Sequence, residues 1–395
     1  MVVSQPVFEP LVVVVCDSVG CGLAPDAVEF GDQGANTLAH VVKSASLVLP
    51  NLAALGMGRI PGVPPLAVAD TSPQAAYGRL IEKGPAKDTL AGHWELMGVV
   101  AEQECPLYPD GFPAEVVEAF RVVAGTEVLG NYAASGTAVI DELGGEHLRF
   151  GWPILYTSGD SVFQLAAHEQ VLAVEDLYAL CAKARKLLSG EHGVGRVIAR
   201  PFTGPGPGQF VRLSSQRRDY PLQAPRLTAL DHLSEAGMRT RAIGKINDIF
   251  GGRGISAYEK TSSNANGIEA ISRSLIEQSE PFVFANLVDF DTIYGHRNDA
   301  AGYAAALEEL DHAIPIWSAA LPDDGMLVLT ADHGNDPTWP GTDHTRECVP
   351  LLAIGRRVLP VSLGSRAFAD LGATVLANFG VDAPTDGESF LDVLR

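Results

Sequence analysis

Short, unbroken apolar runs punctuate this chain, and several stop abruptly at an acid. Leu11 to Val15, Phe282 to Leu287, Met326 to Leu329 and Val349 to Ile354 predict parallel strands buried on both faces. The first three run directly into acidic residues. Around them lie Ala/Leu-rich segments with helical periodicity, such as Ala300 to Leu321 and Ala367 to Phe379. This alternation predicts an α/β fold with a core sheet flanked by helices. Ligands of such sheets sit beyond the carboxyl ends of the strands, where Asp17, Asp291 and Asp332 fall.

The middle of the chain has a different texture. Val174 to Leu188 reads as a helix and Val194 to Phe202 as β-rich, and the Gly/Pro-rich Thr203 to Gln209 is a loop signal. After Tyr220 the α/β alternation resumes through a helical Leu227 to Ala236 and a strand-like Thr240 to Ile243. The middle therefore reads as an inserted α+β cap over residues 103–221, within a core made of 1–102 and 222–395. A length of 395 residues agrees with two domains, and no internal repeat interrupts the pattern.

Composition narrows the partners. With 46% apolar and 19% charged residues the chain is a well-folded one with a large core, not a disordered or fibrous one. Its formal net charge of -20, without a basic run interleaved with aromatics, argues against nucleic acid and anionic membrane surfaces. A small anionic substrate would need local positive charge, which bound metal cations supply most strongly. The five cysteines lack CxxC pairs and read as reduced core thiols. The first apolar run stops at Asp17, short of a signal or membrane span, so a cytoplasmic location is expected.

Chemistry concentrates in five clusters. Thr330-Ala-Asp-His-Gly-Asn-Asp336 sets the carboxylate of Asp332 beside the imidazole of His333 at a strand end, a ligand pair suited to borderline ions such as Mn²⁺ or Zn²⁺. The plainer reading has Asp332 capping a turn and His333 packing locally. Gly341-Thr-Asp-His-Thr-Arg-Glu347 offers His344, a ligand or simply a solvated loop side chain. Asn286 to Asp299 leaves a buried strand with Asp289 and Asp291 and then supplies His296, while Asp299 is placed to cap the following helix. Asp17-Ser-Val-Gly-Cys-Gly22 bends away from the first strand with two glycines, which by itself is an ordinary turn. Finally, Lys87-Asp-Thr-Leu-Ala-Gly-His-Trp-Glu95 puts Thr89 just ahead of a helical run, as its N-cap or as a nucleophile. Coordination to two cations would lower the pKa of that hydroxyl. Six potential ligands and one hydroxyl suit a two-metal site for phosphoryl transfer.

These motifs together resemble the bacterial phosphopentomutases of the alkaline phosphatase superfamily, over nearly the whole chain. The segments that carry the likeness are Asp17-Ser-Val-Gly with Ala24-Pro-Asp-Ala27, Gly34-Ala-Asn-Thr37, Lys87-Asp-Thr89 with Gly92-His-Trp-Glu95, Asn286 to His296, and Ala331 to Glu347. The resemblance implies an alkaline phosphatase-like core with an inserted cap, interconverting α-D-ribose 1-phosphate and D-ribose 5-phosphate or their 2-deoxyribose forms in nucleoside catabolism and salvage. It implies two Mn²⁺ ions, one on Asp17, Asp332 and His333 and the other on Asp291, His296 and His344. Thr89 between them would be phosphorylated in the active form, donating to make a pentose 1,5-bisphosphate, with a sugar bisphosphate as activating primer. Tyr156-Thr-Ser-Gly-Asp160-Ser-Val and Val194-Gly-Arg-Val-Ile-Ala-Arg200 resemble the cap stretches that hold the sugar phosphate. They point to Ser158, Asp160, Val162, Arg196 and Ile198, with Lys245 from the core, and Arg196 suits a phosphate fork. A monomer acting on small pentose phosphates is expected.

One departure is Ala91, where related sequences often carry a second threonine; its loss leaves Thr89 as the clearer nucleophile. Two alternatives share the core. A metal-dependent phosphoglycerate mutase uses a serine and a different insertion, and a plain phosphomonoesterase would release inorganic phosphate. A sulfatase needs a Cys/Ser-x-Pro-x-Arg setting that Thr89-Leu-Ala-Gly92 does not supply. A non-catalytic sensor would be expected to lack a ligand or the nucleophile, and none is missing.

Overall fold

A computed structural model describes residues 5–66, 72–278 and 280–395. By contact the chain divides into two compact units, Met1–Gln103 with Ala224–Arg395, and Glu104–Gln223.

The larger unit is built on an eight-stranded sheet. Its order is Ala257–Glu259, Thr240–Ile243, Phe282–Leu287, Leu11–Cys16, Met326–Thr330, Val349–Ile354, Ala76–Ile81 and Ser362–Ala367. The central runs are buried at every position, as strands covered by helices on both faces must be. Among the flanking helices are Ala300–Ala320, which Asp299 caps by accepting from the Gly302 N–H, and Ala369–Asn378. One expectation fails: Val349–Ile354 runs antiparallel to both neighbours, Met326–Thr330 and Ala76–Ile81. A strand buried on both faces carries the same apolar run in either direction, so its polarity was not readable from pattern. No helix among the described residues is long and apolar enough to cross a membrane.

The smaller unit has its own six-stranded mixed sheet around Val162–His168 and Arg196–Thr203, which pair in parallel. Alternate side chains feed two separate cores. Phe163, Leu165, Val197 and Ala199 pack with the helices Ala114–Ala124 and Val174–Leu187, and Tyr156, Ala166 and Phe202 pack with Gly136–Phe150.

Candidate active site

Three adjacent strands of the larger unit deliver three of its buried acids to one place. Val15 of the central strand lies opposite Asn286 on one side and Thr330 on the other, so Asp17 and Asp332 emerge side by side just past the strand ends. Asp291 follows on a single helical turn, Phe290–Tyr294. All three acids are buried. Each accepts a hydrogen bond from an amide N–H: Asp17 from the Asn286 side chain at 3.0 Å, Asp332 from the Ser18 backbone at 3.1 Å, and Asp291 from the Asn335 side chain at 2.9 Å. The remaining oxygens of Asp17 and Asp332 accept none. His93 Nδ1 lies 3.1 Å from Asp332 Oδ2, but its proton goes to the Thr89 carbonyl at 2.9 Å. Buried carboxylate oxygens left without donors are costly unless a cation meets them.

The three histidines face the same space in one way. Nδ1 of His333 donates to the Gly334 carbonyl at 3.1 Å, that of His296 to Thr342 at 2.6 Å, and that of His344 to Lys87 at 2.9 Å. A carbonyl only accepts, so each Nδ1 holds a proton and each ring turns its Nε2 inward, where it can serve as a ligand once it carries no proton of its own. His333 Nε2 stands 3.3 Å from Asp332, 3.5 Å from Asp17 and 3.3 Å from the Thr89 hydroxyl. His344 and His296 Nε2 are 3.2 Å apart, and they lie 3.4 and 3.2 Å from Asp291 oxygens.

Ligand-capable atoms thus gather into two sets, each within 4.8 Å: Asp17, Asp332 and His333, and Asp291, His333 and His344. His333 belongs to both, whereas the expected division gave it to one ion. His296 stands at the rim beside the second set, so all six residues share one centre. Its electrostatics are those of acids and imidazoles competing for protons. Burial and the neighbouring charges of Asp332 and Asp291 push the Asp17 carboxyl up to about 8. Burial also acts against Asp291, but hydrogen bonds from His296 and His344 outweigh it and hold that carboxyl far below the usual range. His344 is raised to about 9, because its bond to Asp291 overcomes the burial that disfavours its charged form. A divalent cation displaces such protons and suits this oxygen and imidazole donor set.

Thr89 is the first residue of the helix Thr89–Leu96, and Asp88 rather than Thr89 is its N-cap, accepting from the N–H groups of Leu90 and Ala91. The threonine hydroxyl therefore faces His333 instead of closing the helix end. Gly92 permits the approach, since a Cβ there would stand 2.3 Å from the Asp332 carbonyl oxygen. Gly244, at φ +80, turns the chain after Thr240–Ile243, and the positive charge of the next residue, Lys245, helps lower the Asp17 pKa. His93, Asn286 and Asn335 lie inside the motifs of the sequence, which give them no role. Their signal was only that polar groups next to strand-end acids need partners.

In the smaller unit, a cavity of about 290 Å³ is lined by Ser158, Asp160, Val162, Arg196 and Ile198, the five expected cap residues. It is lined equally by Gln164, Arg200, Arg212 and Arg217, which the motifs do not single out. Arg200 was within reach, because residues 196, 198 and 200 share one face of a strand. Gln164 holds Arg200 Nε at 2.7 Å, and Asp219 takes both Nε and Nη2 of Arg217 at 2.7 and 2.6 Å. Ser135 and Gly136 line the cavity at the start of the helix Gly136–Phe150, adding its positive dipole end to the four guanidinium groups. Four guanidinium groups against one lining carboxylate, Asp160, make the lining of this cavity strongly cationic.

Residues 9–383 match the model of the Metalloenzyme superfamily, so the chain is a metalloenzyme of α/β architecture. The PH0037 protein of Pyrococcus horikoshii shares the fold, with a TM-score of 0.52 at 13% identity, covering 96% of this chain and 100% of that one. Within the superfamily the assignment is finer. A phosphopentomutase from Symbiobacterium thermophilum is 51% identical over 392 residues, covering 98% of each chain. Another from Deinococcus radiodurans is 49% identical over 389 residues, covering 98% of this chain and all of that one. The chain belongs to the phosphopentomutase family, and it is an isomerase of the phosphoryl-transferring kind.

Proposed function

We propose that this chain interconverts α-D-ribose 1-phosphate and D-ribose 5-phosphate, and their 2-deoxyribose forms, through a phosphorylated Thr89 and a pentose 1,5-bisphosphate. The observation that carries the reading is the Thr89 hydroxyl, 3.3 Å from His333 Nε2 at the meeting point of two ligand sets. Two Mn²⁺ ions, held by Asp17, Asp332 and His333 and by Asp291, His296 and His344, would supply positive charge against the hydroxyl oxygen and the transferring phosphoryl group.

The chain's own residues do the rest. Thr89 carries the phosphoryl group. In the forward half-reaction its O–P bond breaks as a new O–P bond forms to the free sugar hydroxyl, whose proton is given up in exchange for the one the released Thr89 oxygen takes. The bisphosphate then returns its other phosphoryl group to Thr89, regenerating the phosphoenzyme, which a sugar bisphosphate primer would create initially. Lys245 adds a positive charge beside Asp17 for a phosphoryl oxygen. In the cap cavity, Arg196, Arg200, Arg212 and Arg217 would grip the phosphate that is not being transferred, and Asp160 and Ser158 would accept and donate to ring hydroxyls. Val162 and Ile198 offer the sugar an apolar wall. The reading is of a cytoplasmic monomer acting on small pentose phosphates in nucleoside catabolism and salvage.

Purified protein given Mn²⁺, a catalytic amount of sugar bisphosphate and ribose 5-phosphate should form ribose 1-phosphate, with Thr89→Ala inactive. Inorganic phosphate released faster than isomer would make it a phosphomonoesterase instead.

A further inference from the structure

His344 is followed two residues later by a buried guanidinium that the chemistry above does not use. Arg346 is 1% exposed and all five of its N–H groups are engaged. Nε and Nη2 donate to Asp26, at 3.1 and 2.8 Å, and Nη1 donates to Glu82 Oε2 at 2.5 Å. The remaining capacity goes to backbone carbonyls: Ala86 at 2.6 Å, Gly84 at 2.8 Å and Glu82 at 3.1 Å. Its own N–H donates to Asp32, the carboxylate that also holds Lys87 Nζ at 3.0 Å.

The carbonyls it holds belong to the segment that runs into Thr89. Residues 82 to 88 form no helix or strand of their own past Ile81, so nothing regular fixes their path. Their other backbone groups are tied down as well. The Lys83 and Gly84 N–H groups donate to the Glu95 carboxylate at 2.8 and 2.9 Å, and the Lys87 carbonyl accepts from His344. The ligand loop and the nucleophile loop are thus fastened to each other twice, by His344 and by Arg346.

We infer that Arg346 is a positioning residue: its planar fork sets the 82–88 loop, and through it the height of the Thr89 hydroxyl against His333. Lysine is no substitute, because one ammonium with three donors cannot span two carboxylates and three carbonyls in one plane. The inference rests on reading Thr89 as the phosphoryl carrier. Its physical half, the loop latch, stands apart from that reading.

Arg346→Lys tests it, with Asp26→Asn as a milder variant that loosens the same fork from its half-exposed side. The expected result for Arg346→Lys is kcat lower by about 10- to 100-fold from sub-ångström misplacement. The KM for ribose 5-phosphate should stay within about twofold, since substrate contacts are untouched. Asp26→Asn should move kcat the same way by less. Amide hydrogen exchange, read without turnover, should accelerate in Arg346→Lys across residues 83–91 and not in the central strands. An unchanged kcat in both variants, or a fall in activity that tracks only the fraction of folded protein, overturns the inference. Unchanged exchange at 83–91 also overturns it. Wild-type protein without mutase activity would sink the functional reading alone, and the exchange measurement would still decide the latch.

Discussion

Replacing Gly92 with alanine separates placement of the nucleophile from stability of the fold. The new Cβ would stand 2.3 Å from the Asp332 carbonyl oxygen and 3.1 Å from Asp332 Cβ, where contacts under 3.0 Å essentially never occur. Neither partner can yield cheaply, because the obstruction is backbone and Asp332 is fixed by the Ser18 N–H and the strand behind it. The helix Thr89–Leu96 must therefore withdraw by at least the difference between 3.0 and 2.3 Å, which is 0.7 Å. Thr89 sits on the first turn and moves with it, away from His333 and Asp332. A misplacement near 1 Å costs roughly 100-fold in rate, so kcat should fall by about 10- to 100-fold. Alanine is also the better helix former, by about 0.8–1.0 kcal/mol, which offsets part of the strain, so Tm should change little. Steady-state kinetics with ribose 5-phosphate, run beside a thermal melt, would read both. Full activity in a folded Gly92→Ala enzyme would refute the claim that this contact sets the nucleophile.

Three further outcomes follow from separate parts of the molecule. Asp291→Asn should drop bound Mn²⁺ from two ions per chain to one while the set of Asp17, Asp332 and His333 still loads, as metal analysis after desalting would show; loss of both ions would contradict two separable sets. Arg200→Met should raise the KM for ribose 5-phosphate by about 10-fold or more, from the loss of a charge-assisted bond of roughly 1.5–3 kcal/mol, with kcat much less affected. In the smaller unit, burial lowers the pKa of His147, whose Nε2 accepts from the His168 N–H at 2.8 Å and so favours the neutral ring. A depressed histidine contributes stability that is complete above its unfolded pKa of about 6.5 and is lost as the pH falls through that value toward the folded one. The wild-type Tm should thus drop more steeply from pH 7 to pH 5 than that of His147→Gln, and parallel curves would remove His147 as a cause.

The fold was legible wherever burial imposes a pattern. Phe282–Leu287 and Thr240–Ile243 were readable to the residue, and Ala300–Ala320 to within one, because a covered strand or a long helix announces itself by apolar content. Strand direction is carried by connections rather than by side chains, and that hid the antiparallel run of Val349–Ile354. Ala76–Ile81 alternates in burial and carries a glycine and an arginine, which masked it. In the site, acids at strand ends could be read one by one, whereas the sharing of His333 between two ligand sets is a fact of three dimensions that spacing does not encode. The sequence offers Thr89 as an N-cap or a nucleophile, and the two N–H groups that Asp88 accepts give the capping role to Asp88 instead. Arg212 and Arg217 follow the Gly/Pro loop as ordinary polar residues, and only the fold of the smaller unit turns them into the cavity beside Arg196.

The central claim is that Thr89 carries the phosphoryl group. Incubating the Mn²⁺-loaded protein with a sugar bisphosphate labelled with ¹⁸O in its phosphates, then mapping peptides by mass spectrometry, tests it directly. The account predicts one labelled phosphoryl group on Thr89, chased off by unlabelled ribose 5-phosphate into pentose phosphate. A label on another residue, or turnover with Thr89 never modified, would contradict it.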